Sequence, residues 1–214
     1  MSTSNRSFLE LARERRSTRA FKSDPVPHEL IAQVTEAAYN APAGSGHRGL
    51  WIVVVEDEAQ RRLLRERCEP WDMKWVESRP EPLRTRIKEL PGFQREKVFL
   101  TEAPVLLVVC NEPRNSNYPY PIESAWTAIE NICLAATDLG LGTLTYTPEI
   151  SRLQGQQSLH DILGLPREKR VQAVMPLGYP DTERLGERER EPDFKSKVFL
   201  GNFGTFFPFP RSSD

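Results

Sequence analysis

Two stretches decide the fold class of this chain: Pro104-Val105-Leu106-Leu107-Val108-Val109-Cys110, and Ile122 to Leu139. The first is an unbroken run of β-branched and leucine side chains, the pattern of a strand covered on both faces. The second sets Ala125, Ile129, Ile132, Cys133 and Ala136 at helical spacing and is nearly apolar all round, which reads as a central helix. Working outward, Leu50-Trp51-Ile52-Val53-Val54-Val55 is a further buried strand. Thr143 to Thr147 is a short one closed by Pro148, and Val171 to Leu177 is another, turning at Gly178-Tyr179-Pro180. Helices are expected over residues 7–14, from His28 to Asn40, from Glu58 to Arg67 and from Leu153 to Leu163. Helices flanking a few buried strands predict one layered α+β or α/β domain over residues 1–214.

The 214 residues carry 29 basic and 30 acidic side chains, a net charge of −1. That balance argues against a general nucleic-acid binder. No run of about 18 apolar residues and no charged-then-apolar leader is present, so neither membrane spanning nor secretion is expected. Three scattered cysteines, Cys68, Cys110 and Cys133, fit a reducing compartment, so the expected location is cytoplasmic. The near-neutral average hides a local asymmetry: Arg13 to Lys22 holds five basic side chains and one acidic one.

Residues 68–98 contain four prolines, Trp71, Trp75 and many charges without a clean period. They read as a partly helical excursion over the surface: a lid over a site, or an insertion without a part in chemistry. Gly44-Ser45-Gly46-His47-Arg48-Gly49 satisfies the dinucleotide pattern G-x-G-x-x-G. That pattern needs a strand before it and a helix after it, and here the order is reversed. No metal-site or hydrolase signature is present. Arg15, Arg16, Ser17 and Arg19 sit together at a helix-to-loop junction. Arginine forks with a neighbouring hydroxyl suit bidentate phosphate binding; a solvated basic patch is the alternative.

Arg15-Arg16-Ser17-Thr18-Arg19-Ala20-Phe21, then Ala41-Pro42-Ala43-Gly44 ahead of a valine-rich strand, resembles the opening of the nitroreductase-like FMN flavoprotein family. Later features follow in the same order. Leu139-Gly140-Leu141-Gly142 leads into Thr145-Tyr146-Thr147-Pro148, and Pro176-Leu177-Gly178-Tyr179-Pro180 precedes Arg190-Glu191-Pro192. The spacing is most similar to the iodotyrosine deiodinase branch, without that branch's substrate-lid residues.

The resemblance implies a three-layer α/β/α sandwich with a central mixed sheet, in an intertwined homodimer. It implies FMN as cofactor and NAD(P)H as electron donor to a small planar or conjugated acceptor. Arg15, Arg16, Ser17 and Arg19 would hold the FMN phosphate and nearby atoms, with Arg190 as a second phosphate arginine. Thr145, Tyr146 and Thr147 would lie along the flavin ring, with a backbone amide or the Thr147 hydroxyl near N5, Thr147 being the candidate catalytic residue. Pro42, Ala43 and Gly44 would approach the flavin of the other subunit, while Ser45, His47, Arg48, Trp71 and Trp75 are candidate substrate contacts.

The 43–50 loop departs from the family pattern at Ala43, Gly46, Arg48, Gly49 and Leu50. Two alternatives therefore stand beside the reductase: an oxygen-using biosynthetic flavoenzyme, and a non-catalytic flavin-binding protein. Residues 68–98 lack the Glu, Tyr and Lys set at the spacing by which deiodinases grip a halotyrosine, so deiodination is not the expected reaction. Among isolated residues, His28 is expected at a helix start, His160 on a surface helix, and Cys110 and Cys133 in the core.

Overall fold

The computed structural model describes residues 6–46, 49–89, 97–147, 159–186 and 194–209, with the backbone alone at Pro70, Trp71, Asp72 and Trp75. Helix α1 (Phe8–Glu14) begins at a reciprocal cap in which Ser7 N–H donates to the Glu10 carboxylate at 2.7 Å and Glu10 N–H donates to Ser7 Oγ at 3.3 Å. After the Asp24–Pro27 break come α2 (His28–Tyr39), β1 (Leu50–Val55), α3 (Glu58–Glu77), α4 (Leu83–Glu89) and the short α5 (Phe99–Glu102). Then follow β2 (Val105–Asn111), α6 (Pro121–Asp138), β3 (Gly142–Thr143), a helical segment at 159–163 and β4 (Arg170–Gly178).

The sheet order is β1-β2-β4-β3, and each of these pairs is antiparallel. Where a mixed sheet was expected, the parallel component among the described residues is one bridge, Ser17 to Thr143. It forms because the chain leaving α1 runs along β3 in the same direction. β2 is covered on both sides, as its unbroken apolar run requires. Val105, Leu107 and Val109 join a core with Val34 of α2 and Ile129 and Ile132 of α6. Leu106, Val108 and Cys110 join a second core with Leu64 and Cys68 of α3, Phe99 and Leu100 of α5, and Leu159. The three-layer arrangement follows from these two cores.

Three expectations change. The segment from residue 68 is helical as far as Glu77, because Leu64, Cys68 and Val76 lie on one buried face and Arg65 Nε pairs with Glu69 at 2.7 Å. The expected strand 143–147 shortens to β3 plus an isolated bridge between Tyr146 and Val174. His160 is buried rather than on a surface helix, its Nε2 within 2.9 Å of the Lys169 carbonyl oxygen. Sequence reading also missed α5, whose four residues are too few for a period. It is secured by the buried Arg61, which donates to the carbonyl oxygens of Thr101 at 2.9 Å and Ala103 at 2.6 Å. Among the described residues, no helix is long and apolar enough to cross a membrane.

All three cysteines are buried thiols outside any disulfide. Desolvation pushes the Cys110 thiol up to about 12. The sign follows from proton counting. Below about pH 8.5 both folded and unfolded chains keep this proton, whereas above it only the unfolded chain releases it. Stability contributed by the neutral thiol is therefore lost as pH rises from about 8.5 towards 12. Urea unfolding of the wild type and Cys110→Ala at pH 7 and pH 10 checks this, with a smaller alkaline loss expected in the variant. Equal losses would remove Cys110 as a source of the alkaline limb.

Candidate functional site

The basic cluster becomes a strand-like edge. α1 ends at Arg15, and its extended continuation lies against β3, with Thr18 N–H donating to Thr143 O at 2.9 Å. This approach needs a glycine opposite, since a Cβ on Gly142 would stand 2.6 Å from Thr18 Cγ2 and Oγ1. Gly140, with φ of +74°, turns the chain at the end of α6 into this pairing.

The arginines point different ways. Arg15 Nη2 pairs with Glu130 Oε2 of α6 at 2.9 Å, and Arg16 Nη2 donates to Gly186 O at 2.6 Å. Arg19 Nη1 reaches Ser17 O at 3.5 Å. Arg16 Nε and Thr143 Oγ1 are buried without a hydrogen-bond partner among the described residues. A buried orphan donor and a buried orphan hydroxyl are each costly unless a ligand answers them.

Arg15 also reaches Cys133 electrostatically. Burial raises the Cys133 thiol, and Arg15 opposes that rise. Cys133 Sγ lies 3.8 Å from Thr145 Oγ1, so Arg15, Glu130, Cys133 and Thr145 converge where α6 passes under the residues following β3. Thr147 is exposed one residue beyond the bridge. Tyr146 is placed differently from its neighbours. Its N–H and carbonyl both pair with Val174, and its ring packs edge-on against Phe99 with centroids 5.5 Å apart. Its side chain is thereby engaged in the second core, while Thr145 Oγ1 meets Cys133 Sγ and Thr147 is exposed.

The loop after α2 carries Pro42, Ala43, Gly44 and Ser45. Ser45 takes a left-handed conformation, φ 58° and ψ 21°, unusual for a residue with a side chain. Gly44 N–H donates to Ser124 Oγ at 2.9 Å and Thr127 Oγ1 lies 2.9 Å from Pro42 O, so α6 holds this loop as well. The loop lies between α2 and β1, the reverse of the order a dinucleotide fingerprint needs. His47, Arg48, Pro148 and Arg190 lie outside the described residues. Trp71 and Trp75 belong to α3, but their side chains are likewise outside. Sequence reading did not find Ser124, Thr127 or Glu130. The available signal was polar side chains recurring along a helix otherwise apolar.

Residues 12–179 match the family model described as Nitroreductase family. The chain is 33% identical over 202 residues to an iodotyrosine deiodinase of Thermotoga neapolitana, covering 93% of this chain and 98% of that protein. It is 28% identical to a putative NADH dehydrogenase/NAD(P)H nitroreductase of Archaeoglobus fulgidus, covering 82% and 87%. Among solved structures, an oxidized iodotyrosine deiodinase bound to FMN and 3-iodo-L-tyrosine is 29% identical. It superposes with a TM-score of 0.74 over 90% of this chain and all of that one (100%). An FMN-dependent nitroreductase from Clostridium difficile, 24% identical with a TM-score of 0.70, shares the fold. The matched span takes in the arginine edge, the 42–46 loop and the whole of the sheet, and the chain belongs to the nitroreductase family of oxidoreductases.

Proposed function

We propose that this protein is an FMN-dependent oxidoreductase that takes electrons from NAD(P)H and passes them to a small planar or conjugated organic acceptor. The observation that carries the reading is the edge at 15–19, which carries Arg15, Arg16 and Arg19 and meets β3 through the Ser17–Thr143 bridge, with Arg16 Nε and Thr143 Oγ1 buried and without a hydrogen-bond partner among the described residues. That donor set fits a phosphate-bearing cofactor. FMN bound there supplies hydride chemistry that no side chain performs.

The chain's own part is to bind and orient. Arg15, Arg16 and Arg19 present forks for the phosphate, and Ser17 adds a hydroxyl. Arg16 meets the chain at Gly186, four residues before Arg190, which supports Arg190 as a further phosphate contact. Thr145 and Thr147 offer hydroxyl donors to the ring edge, Thr147 being the one exposed to a reacting group. Pro42, Ala43 and Gly44 would approach the flavin of the other subunit, and Ser45, His47, Arg48, Trp71 and Trp75 would face the acceptor.

Exposed apolar side chains support a homodimer. Ile122 and Trp126 on α6 are half-exposed, Phe8 more so, and Phe203 is 93% exposed on a C-terminal hairpin where Phe199 pairs with Phe206. Surface of this kind marks a partner site, and two-fold pairing is the commonest form. We read the location as cytoplasmic.

Purified protein is expected to be yellow, or to become so with added FMN, and NAD(P)H is expected to bleach it. Protein that takes up no FMN would sink the reading. The deiodinases among the relatives favour a second reading, reductive dehalogenation, in which two electrons and a proton convert a carbon–iodine bond to carbon–hydrogen and iodide. Iodide release from 3-iodotyrosine by the chemically reduced holoprotein tests it. Turnover of quinones or nitroaromatics without iodide release would favour the first.

A further inference from the structure

Helix α6 is apolar on the side that meets the sheet, yet Ser124, Thr127 and Asn131 recur along it at i, i+3 and i+7. That spacing sets them within one narrow sector of the helix. Each reaches the backbone of the same neighbouring segment. Ser124 Oγ accepts from Gly44 N–H at 2.9 Å while donating to Tyr120 O at 2.7 Å, so both roles of the hydroxyl are used. Thr127 Oγ1 lies 2.9 Å from Pro42 O and 2.8 Å from Ser124 O, one proton shared between two carbonyls. Asn131 Nδ2 donates to Ala37 O at 2.9 Å, in the last turn of α2. Tyr120, a turn before Ser124, closes the sector: a Cβ on Gly44 would lie 2.6 Å from Tyr120 Cβ and 2.8 Å from Cδ2.

These contacts are specific to backbone atoms, and they meet the loop at its least regular point. Gly44 is followed by Ser45 and Gly46, both at positive φ. A loop with two left-handed residues and no regular ladder has few internal restraints. Its shape is set from outside, and α6 is what sets it. The same helix carries Glu130, paired with Arg15, and Cys133, beside Thr145. One rigid element therefore fixes both the arginine edge and the loop.

We propose that Ser124 and Thr127 are positioning residues that hold the 42–46 loop in the shape with which it approaches the FMN of the other subunit. The role rests on the proposed flavin reading. Neither side chain need touch the cofactor; each acts through Pro42 or Gly44. Isosteric or near-isosteric loss of the hydroxyls should loosen the loop and leave the core alone, since the methyl groups of Ala125, Ala128 and Ile132 make the packing face.

The test uses Ser124→Ala/Thr127→Val in the full-length protein, with Ser124→Thr as the conservative variant that keeps a hydroxyl. Three readouts are needed. Hydrogen exchange at the Gly44 amide in flavin-free protein should rise about ten-fold in the double variant and stay near the wild-type rate in Ser124→Thr. FMN affinity should fall by about ten-fold in the double variant, and the visible circular dichroism of bound flavin should change, while the thermal midpoint moves little. Wild-type protein that binds no FMN would overturn the flavin reading and this role with it. Wild type that binds FMN beside a double variant that binds it equally well, with an unchanged dichroism, would overturn the positioning role alone. Weaker FMN binding with unaltered Gly44 exchange would overturn it too, because the hydroxyls would then be acting directly.

Discussion

Arg15→Ala/Arg19→Ala protein is expected to fold and to come off purification without its flavin. The two halves of that statement have separate causes. For folding, the Arg15–Glu130 pair is half-exposed, and such pairs contribute about 0–1 kcal/mol. Truncation leaves Glu130 at a position where water can solvate it, so the thermal midpoint should move by a few degrees at most. For binding, each charge-assisted hydrogen bond to a phosphate contributes about 1.5–3 kcal/mol. Losing two sets of them weakens FMN binding by roughly 10²- to 10⁴-fold. Arg15→Lys/Arg19→Lys should recover part of the affinity, as charge is kept while the planar fork is lost. Titration of the apo-variants with FMN, followed by flavin fluorescence quenching, reads all of this. A double alanine variant retaining wild-type affinity would show that the phosphate sits elsewhere.

The cluster 15–19 was legible as donors because composition within a few residues is local information. Its partner was not. That Thr18 pairs with Thr143, and that Gly142 must lack a Cβ for the two to meet, depends on contacts across more than a hundred residues that no periodicity encodes. β2 and β4 were readable for the opposite reason: strands covered on both faces tolerate little but apolar side chains, so burial writes itself into the sequence; β1 was legible as a strand, but it is an edge strand with Trp51 and Val54 exposed rather than the buried strand its apolar run predicts. The short β3 could not be bounded, since two residues carry no pattern. Cys68 to Glu77 looked irregular because Cys68 and Val76, its buried positions among the described side chains, stand eight residues apart with charges between. The i, i+4 alternation of Leu64 and Cys68 with Val76 shows only when the helix is known to continue. The polar sector of α6 was visible as letters and mute as function, because the backbone atoms it serves come from α2 and the loop. Tyr146 shows what reasoning by segment leaves out: its ring packs in the second core while Thr147 beside it is exposed, a difference that side-chain alternation makes and the letters alone do not show.

Leu107→Ala is expected to lower the stability of the fold by about 2–5 kcal/mol, against a total of about 5–15 kcal/mol for a domain. Leu107 lies at the middle of β2, opposite Val54 of β1 and Met175 of β4, and has no exposure (0%). Its side chain belongs to the core that unites α2, α6 and the sheet. A shortened side chain there leaves a cavity bounded by strands on both sides and helices above, and none of these can move without disturbing the others, so little of the loss is recovered by collapse. Val54→Ala makes the control, because Val54 is 41% exposed on the edge strand beside it. It should cost about 0.5 kcal/mol or less. Urea unfolding at fixed protomer concentration, flavin removed, measures both, and an unchanged denaturant slope would confirm that the same surface unfolds. The functional consequence differs from that of the arginine variant. Because α6 positions Glu130, Ser124 and Thr127 from the far side of the same core, Leu107→Ala should weaken flavin binding only in step with the folded fraction. A variant that stays fully folded by circular dichroism yet binds FMN poorly would mean that the sheet transmits strain to the arginine edge. A loss below about 1 kcal/mol would mean that β2 is less tightly enclosed than its two cores require.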